Sequence, residues 1–417
     1  MKENHRNHPG IPIRRRLTVA GFAAASIVAL VAVAVPAILW GIAMPIRDLP
    51  QPTGPFPVGS LSYDLVDLWR HDPYQVPGSS APEYRTIRLQ LWYPAEDLYA
   101  DVSAQPWMAD GPQHTRAVVR SHGFPFFVWE HTRWMSSNTI LNATPGGPSS
   151  YPVAIIVHGW QGYRGLHADV AEELASHGFL VAAADHSYGA AATRLSDGTI
   201  LRSREEVLPS RESSDRFAEH ALKLVETFSQ DIDLIKTHLG DLDRPGNPTA
   251  DTADTAARTG PDTGHPGRQL LAALAGRINP DRLALVGHST GGGAALHHTL
   301  ERGGVSALVG LDAWVEPLGA ARLGEAQLTV PTLFLRSEEW AGGINDGYLV
   351  PLVERLQTQG APVELHQIDG ITHEQFSTLY MYSPAVQWLG LLDERDPWDF
   401  AQMQRATVRE FLQDSMR

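Results

Sequence analysis

The 417-residue sequence contains no cysteine. This absence excludes disulfide bonds, thiolate nucleophiles and cysteine-based metal sites. Basic residues are also scarce, since 33 lysines and arginines stand against 47 aspartates and glutamates and the formal net charge is −14. Such an acidic balance argues against a nucleic-acid partner. The length is that of one large α/β domain with an extension.

Charged side chains are absent from residues 17–46. This stretch exceeds the roughly 20 apolar residues needed to cross a bilayer, and basic residues precede it within 1–16. We therefore predict a transmembrane signal anchor at 17–46, with the basic N-terminus 1–16 in the cytoplasm and the rest of the chain outside it. A cleaved signal peptide is the alternative, and cleavage would make the protein secreted.

Large apolar residues are almost missing from residues 243–268, which are rich in Asp, Thr, Pro and Gly. Such a composition does not form a packed core, so we predict a disordered surface insertion. Its carboxylates lack the spacing of a calcium-binding loop. Residues 47–60 are dense in proline and glycine and are predicted to form a linker into a domain at 61–417.

Short apolar runs predict the strands of this domain. Residues Thr86–Pro94 alternate in polarity, whereas Tyr151–Trp160 and Gly178–His186 are continuously apolar, as buried parallel strands are. Helical spacing predicts helices at Gly165–Gly178 and from Phe217 to Ile235. Strands that alternate with helices indicate an α/β fold with a mostly parallel central sheet and helices on both faces.

The sequence Gly287-His288-Ser289-Thr290-Gly291 fits the pattern G-x-S-x-G. An apolar strand precedes it and a helix-compatible segment follows, which is the context of a strained strand-to-helix turn that exposes a nucleophilic serine. A serine hydroxyl reacts only when a base takes its proton and backbone N–H groups stabilise the oxyanion. We therefore predict Ser289 as a catalytic nucleophile.

Two backbone N–H groups are predicted to form the oxyanion hole. The residue after the nucleophile, Thr290, supplies one. The loop after an earlier strand supplies the other, and His158-Gly159-Trp160 ends such a strand, which makes the Trp160 N–H the second donor. His158 itself is interpreted as a structural histidine that braces the loop.

The base is predicted to be His373, which lies in a loop near the C-terminus, as the chain order serine, acid, histidine requires. His297 and His298 lie on the helix behind the serine, and His366 lies inside the preceding strand. The segment that begins at His373 does not fit the zinc motif H-E-x-x-H, because Ser377 stands where the second histidine would be.

The residues alone do not identify the acidic member of the predicted serine-histidine-acid triad. Asp312 follows the strand predicted from Val305 onward, and Glu338, Glu339 and Asp346 follow the strand predicted from Pro331 onward. Both strand ends are compatible with a triad acid.

Five segments together resemble the platelet-activating-factor acetylhydrolase family, within the α/β-hydrolase superfamily. They are TGPFPVG (53–59), VHGWQG (157–162), GHSTGGG (287–293), LDAWVEPLG (311–319) and ITHEQF (371–376). The Asp-Ala-Trp stretch carries the triad aspartate in this family, so the resemblance implies that Asp312 is the acid. It also implies the α/β-hydrolase fold and hydrolysis of a short or oxidised acyl ester of a glycerophospholipid, with no metal and no cofactor.

The acyl pocket is expected to include aromatic side chains, and we predict that Trp160 and Trp314 lie near the site. The segment from Ser187 to Arg216 is either a lid over the pocket or a surface loop. Alternatives to phospholipid-type substrates are a general carboxylesterase, a polyester hydrolase or an acyltransferase of the same fold. A membrane-tethered binding protein that has lost the chemistry is a further alternative.

Overall fold

The computed structural model describes residues 25–36, 49–96, 104–126, 128–212, 215–243, 265–388 and 390–417. A ten-stranded sheet forms the centre of this part of the chain, and a two-stranded hairpin of β7 and β8 lies apart from it. The strands are β1 Val58–His71, β2 Tyr84–Pro94, β3 Ala104–Pro106, β4 Ser136–Leu141, β5 Tyr151–Val157, β6 Leu180–Asp185, β7 Ala192–Arg194, β8 Ile200–Arg202, β9 Ile278–His288, β10 Ala307–Leu311, β11 Thr332–Ser337 and β12 Val363–Ile368.

The strand order is β12-β11-β10-β9-β5-β6-β2-β1-β4-β3. The six strands from β12 to β6 are parallel. Strand β2 is antiparallel to both of its neighbours, β6 and β1. The protein therefore has a mixed α/β fold with a large, mostly parallel sheet, as the sequence predicts.

Helices link the parallel strands. Besides the helical residues 25–36, the α-helices are α1 Gly111–Ser121, α2 Ala168–Ser176, α3 Phe217–Asp243, α4 His265–Leu274, α5 Thr290–Glu301, α6 Gly319–Glu325, α7 Asp346–Thr358, α8 Ala385–Trp388 and α9 Pro397–Ser415.

Strand β5 shows why helices cover both faces of the sheet. Val153 and Ile155 point into one apolar core, which α3 helps to close, while Ala154 and Ile156 point into a second core with α2 and α9. Successive side chains of a strand alternate between faces, so a continuously apolar strand needs apolar partners on both sides.

A buried ion cluster joins the sheet to α3. The guanidinium of Arg85 on β2 donates to Asp231 on α3, with a shortest distance of 2.6 Å, and to Asp72 at 3.0 Å. Nδ1 of His186 lies 2.9 Å from Asp231. Although burial opposes it, the charges of Arg85 and Arg70 hold the pKa of Asp231 well below its usual range. A buried charge of this kind is tolerated because it is paired and hydrogen-bonded.

Three sequence predictions fall wholly or partly on residues that the structure does not describe. Of the predicted anchor at 17–46 only residues 25–36 are described, and of the insertion at 243–268 residues 244–264 lie outside the description. Residues 1–16 lie outside it entirely. Within the ranges that are described, no helix combines the length and apolar character that a membrane crossing requires.

The predicted linker at 47–60 differs from the structure at its C-terminal end, because β1 begins at Val58. The described residues before it lie along the domain. Thr53 donates from its N–H (2.8 Å) and its hydroxyl (2.6 Å) to Glu173 on α2, and the N–H of Gly54 donates to Ser176 on the same helix at 3.0 Å. These contacts seat the segment against α2.

Glu172, beside Glu173 on α2, is buried and accepts a hydrogen bond from Asn138 at 2.9 Å. Burial raises the pKa of Glu172 to about 7, above its value in an unfolded chain. The folded state therefore binds this proton more tightly, and the associated stability is present at low pH and lost as the pH rises to about 7.

We expect Glu172→Gln to match the wild type in stability near pH 4.5 and to exceed it by about 1–3 kcal/mol at pH 8, since glutamine needs no ionisation. Urea unfolding of the full chain at several pH values measures this difference. The control is Glu354→Gln, the same substitution at an exposed position of α7. A pH-independent offset for Glu172→Gln would contradict the prediction.

Candidate active site

Ser289 occupies a strained turn between β9, which ends at His288, and α5, which begins at Thr290. Its backbone has φ 53° and ψ −121°, a conformation that residues other than glycine rarely adopt. The Ser289 N–H donates to the carbonyl oxygen of Leu311 at 3.0 Å, and the Trp314 N–H donates to the Ser289 carbonyl oxygen at 2.9 Å. The turn is thereby fixed to the end of the neighbouring strand, β10.

Glycines make this turn possible. A Cβ at Gly292 would lie 2.6 Å from the Cα of Ala313, and a Cβ at Gly291 or Gly293 would overlap the carbonyl oxygen of Val157 or Trp314, respectively. The backbones of β5, α5 and the loop after β10 therefore approach one another more closely than any side chain permits.

Asp312 follows β10 and is buried, with a positive φ of 42°. Its carboxylate accepts hydrogen bonds from the N–H of Ser337 at 2.7 Å and the hydroxyl of Ser337 at 2.6 Å. Nδ1 of His373 lies 2.9 Å from Oδ2 of Asp312. Because a carboxylate can only accept, Nδ1 carries the proton and Nε2 is the free basic nitrogen of the ring.

The other acidic residues near these strand ends have different partners. Glu338 accepts the N–H of Gly370 at 2.7 Å, Glu339 accepts the backbone N–H of His373 at 2.6 Å, and Asp346 pairs with Arg336 at 2.6 Å. Of the four acids considered from the sequence, Asp312 is the one whose carboxylate meets the His373 ring.

The loop after β5 brings Gly159 and Trp160 beside Ser289. Thr290 is the first residue of α5, so its N–H has no acceptor within the helix and lies at the positive end of the helix dipole. Thr290 and Trp160 are thus placed on the two elements that the oxyanion prediction requires.

His158 braces this loop. Its Nδ1 lies 2.7 Å from the carbonyl oxygen of Gly159, and its Nε2 accepts the backbone N–H of His186 at 3.3 Å. Burial, together with the neighbouring charge of His186, holds the pKa of His158 well below its usual range. A neutral ring with one donating and one accepting nitrogen matches this arrangement.

The segment from Ser187 to Arg216 supports the same loop and forms the β7–β8 hairpin. The N–H of Gln161 donates to Gly189 at 2.8 Å, and the N–H of Ala191 donates to Gly162 at 2.9 Å. The beginning of the segment is buried against the domain. In its described part it therefore braces the predicted oxyanion loop from the side.

A cavity of about 350 Å³ opens at Ser289 and His373, and most of its wall is apolar. Trp160 lines it, but Trp314 does not. The indole of Trp314 instead donates to Glu316 at 3.1 Å and lies 6.0 Å from the ring of Phe217. The structure thus does not bring Trp314 to the wall of this cavity, although its backbone N–H holds the serine turn.

Sequence reasoning missed much of the cavity wall, which includes Phe124, Val128, Trp129, Leu379 and Val386. These residues lie in two segments far apart in the sequence, and no local motif marks them. It also missed His288, although this residue occupies the second position of G-x-S-x-G. Nε2 of His288 lies 3.2 Å from the carbonyl oxygen of His373 and positions the loop of the predicted base.

Asp110, His114 and Asp185 form a group with metal-ligand spacing, away from Ser289. Arg164 pairs with both carboxylates, at 2.7 and 2.5 Å. Nε2 of His114 donates to the carbonyl oxygen of Ala192 at 2.9 Å and so has no lone pair to offer. Its residues do not fit a metal ion, because the guanidinium already supplies the positive charge.

Residues 42–417 match the family described as platelet-activating factor acetylhydrolase, isoform II. Curated relatives include the platelet-activating factor acetylhydrolases of Canis lupus familiaris, 25% identical over 60% of this chain and 55% of that protein, and of Gallus gallus, 25% identical over 74% and 73%. The chain thus aligns with little more than half of the dog protein. A ferulic acid esterase from Streptomyces cinnamoneus has a similar fold, with a TM-score of 0.62 at 20% identity over 89% of this chain and 93% of that one.

We expect Gly293→Ala to lower the free energy of unfolding by about 1–3 kcal/mol, because its methyl group would overlap the Trp314 carbonyl oxygen. The matched control is Gly240→Ala within α3, where an added Cβ meets no atom within 4 Å and should stabilise the helix by about 0.5–1 kcal/mol. Urea unfolding of both variants measures the difference. Equal effects of the two substitutions would show that the turn has room for a side chain.

Proposed function

Because the chain belongs to the platelet-activating factor acetylhydrolase isoform II family, we propose that it is a serine ester hydrolase of the α/β-hydrolase fold with the triad Ser289, His373 and Asp312. The observation that carries this proposal is the 2.9 Å contact between Asp312 and His373 beside a cavity that also exposes Ser289.

In the proposed mechanism, Nε2 of His373 takes the proton of Ser289 as Oγ attacks the carbonyl carbon of the ester. Asp312 holds the ring in the required tautomer and stabilises the imidazolium. The N–H groups of Thr290 and Trp160 stabilise the tetrahedral oxyanion. His373 then protonates the leaving alcohol, and water attacks the acyl-enzyme by the same route to release the acid.

The cavity supports a short or oxidised acyl group of a phospholipid-type ester as the substrate. Its volume of about 350 Å³ lies near the lower end of the usual range for ligand pockets. The apolar wall suits an acyl chain, and His122 and Ser383 at the same cavity suit polar groups such as those of an oxidised chain. We therefore expect acetyl and butyryl esters to react faster than long-chain esters.

The experiment is hydrolysis of p-nitrophenyl esters of increasing acyl length by the full chain, combined with a fluorophosphonate label located by mass spectrometry. Ser289→Ala should lower kcat by about 10³–10⁶-fold and abolish the label, since triad members act as a unit. A folded Ser289→Ala protein that keeps its activity or its label would refute the assignment.

The acid is examined by Asp312→Asn, for which we expect a loss of about 10³–10⁴-fold, because the wrong tautomer of His373 is favoured. The control is Glu338→Gln, which can still accept the Gly370 N–H and should leave kcat/KM within about twofold of the wild type. A larger loss of kcat/KM in Glu338→Gln than in Asp312→Asn would indicate that the acid of the triad lies after β11 and not after β10.

We also propose that residues 17–46 attach the protein to a membrane, with the catalytic domain outside the cytoplasm. The length and the basic flank of this apolar segment support the proposal. Carbonate-washed membranes from cells that produce the full chain should retain it. A chain found wholly in the soluble fraction, with a mature N-terminus after the apolar segment, would indicate a cleaved signal peptide.

A further inference from the structure

The indole of Trp340 lies flat against the ring of His373. The ring centroids are 4.1 Å apart and the planes differ by 2°. Trp340 does not line the described cavity wall, so this contact is not explained by binding of the acyl group. No part of the G-x-S-x-G motif or of the triad accounts for it.

Ser337, the last residue of β11, links Trp340 to Asp312 through its hydroxyl. The backbone N–H of Trp340 donates to the hydroxyl oxygen of Ser337 at 3.2 Å. That hydroxyl donates to Oδ2 of Asp312, the oxygen that also accepts from His373. The contacts thus form a closed ring that runs from Trp340 through Ser337 and Asp312 to His373 and back to Trp340. A shift of Trp340 would therefore change the surroundings of both His373 and Asp312.

Hydrogen bonds within the loop between β11 and α7 restrain the backbone that carries Trp340. Asp346, at the start of α7, pairs with Arg336 at 2.6 Å and accepts the N–H of Gly342 at 2.5 Å. The Gly343 N–H donates to the carbonyl oxygen of Trp340 at 3.2 Å. Trp340 is therefore held on both sides by the backbone of the loop between β11 and α7.

An aromatic face attracts a cation, and tryptophan does so most strongly among the side chains. In the proposed mechanism, His373 becomes an imidazolium while it holds the proton taken from Ser289 or, in the second half of the reaction, from water. We propose that Trp340 is a positioning residue for His373, whose indole face stabilises the imidazolium formed during the reaction and fixes the plane of the ring. This inference rests on the proposed function.

The other groups that face His373 do not replace this contribution. Asp312 and Glu339 are carboxylates that accept its ring and backbone N–H groups, respectively. His288, with its ring centroid 4.5 Å away, is held neutral because burial keeps its pKa well below the usual range, and burial lowers the pKa of His167 to about 4. All four remain in a Trp340 variant, so a change in such a variant reports the indole.

The test compares Trp340→Leu, which removes the aromatic face, with Trp340→Phe, which keeps a smaller one. In the full chain, kcat and KM for p-nitrophenyl acetate are measured from pH 5 to 9. For Trp340→Leu we expect the midpoint of the acid limb of kcat/KM to move down by about 0.5–1 pH unit, and Trp340→Phe to recover at least half of that shift. We expect KM to change less than kcat, since Trp340 does not touch the acyl group.

A second measurement needs no turnover. The ring resonances of His373, assigned by their loss in His373→Gln, are titrated by NMR in the wild type and in both variants, and the same order of midpoints is expected. The control is Trp69→Leu, at a side chain that is 89% exposed on β1, which should change neither readout.

A Trp340→Leu protein with an unmoved acid limb and an unmoved NMR midpoint would overturn the inference, whatever its kcat. A wild type that hydrolyses no ester while the NMR midpoint still shifts would refute the proposed function and leave the effect of the indole on His373 standing. The two failures are therefore distinct.

Discussion

The positive φ of Ser289 is the constraint on which the rest of the site depends. Holding a residue other than glycine there costs on the order of 1–3 kcal/mol, so the surrounding structure must over-determine the turn. It does so with two backbone hydrogen bonds to the chain around the end of β10 and with three glycines, 291–293, at which an added Cβ would overlap neighbouring atoms. Because the bond to Leu311 comes one residue before Asp312, fixing the proposed nucleophile also fixes the proposed acid. Strain at Ser289 and alignment with Asp312 are thus one structural feature.

Four histidines lie near this edge of the sheet, and the proposed base, His373, has surroundings that differ from those of the other three. His158, His167 and His288 are buried, and burial depresses the pKa of each, so all three are neutral donors or acceptors that brace loops. His373 alone among these four has a carboxylate against its ring, at 2.9 Å, and faces the cavity. Groups of one chemical type acquire different roles because their surroundings stabilise different protonation states.

The sequence predicts those parts of the protein that are encoded locally. Strand β9, the turn at Ser289 and α5 follow from one contiguous stretch, and continuous apolar runs predict β5 and β6. Strand β1 was missed, and its first residues fall in the proline- and glycine-rich stretch that predicts a linker at 47–60. Only the family resemblance selected Asp312 from four acids, since the contact with His373 joins residues 61 positions apart.

The roles of Trp314 and Trp340 could not be predicted from local sequence patterns. Both follow strands at the same edge of the sheet, and the sequence analysis predicts only Trp314 of these two near the site. In the structure the first supports the serine turn through its backbone while its indole turns to Glu316, and the second stacks on His373. Both roles arise from contacts between segments that lie apart in the sequence, which no local pattern records.

A buried charge pair holds the loop that carries Trp160. Arg164, four residues on, donates from its backbone to Asp185 at 2.7 Å and from its guanidinium to the same carboxylate at 2.5 Å, and also to Gln90 at 3.2 Å. Desolvation makes a buried pair a weak source of net stability, but its directional bonds specify position. An oxyanion hole needs donors placed before the charge develops, because reorientation during the reaction would cost part of the stabilisation. The charge pair therefore gives the loop of the proposed oxyanion donor a directional restraint, which apolar contacts alone would not provide.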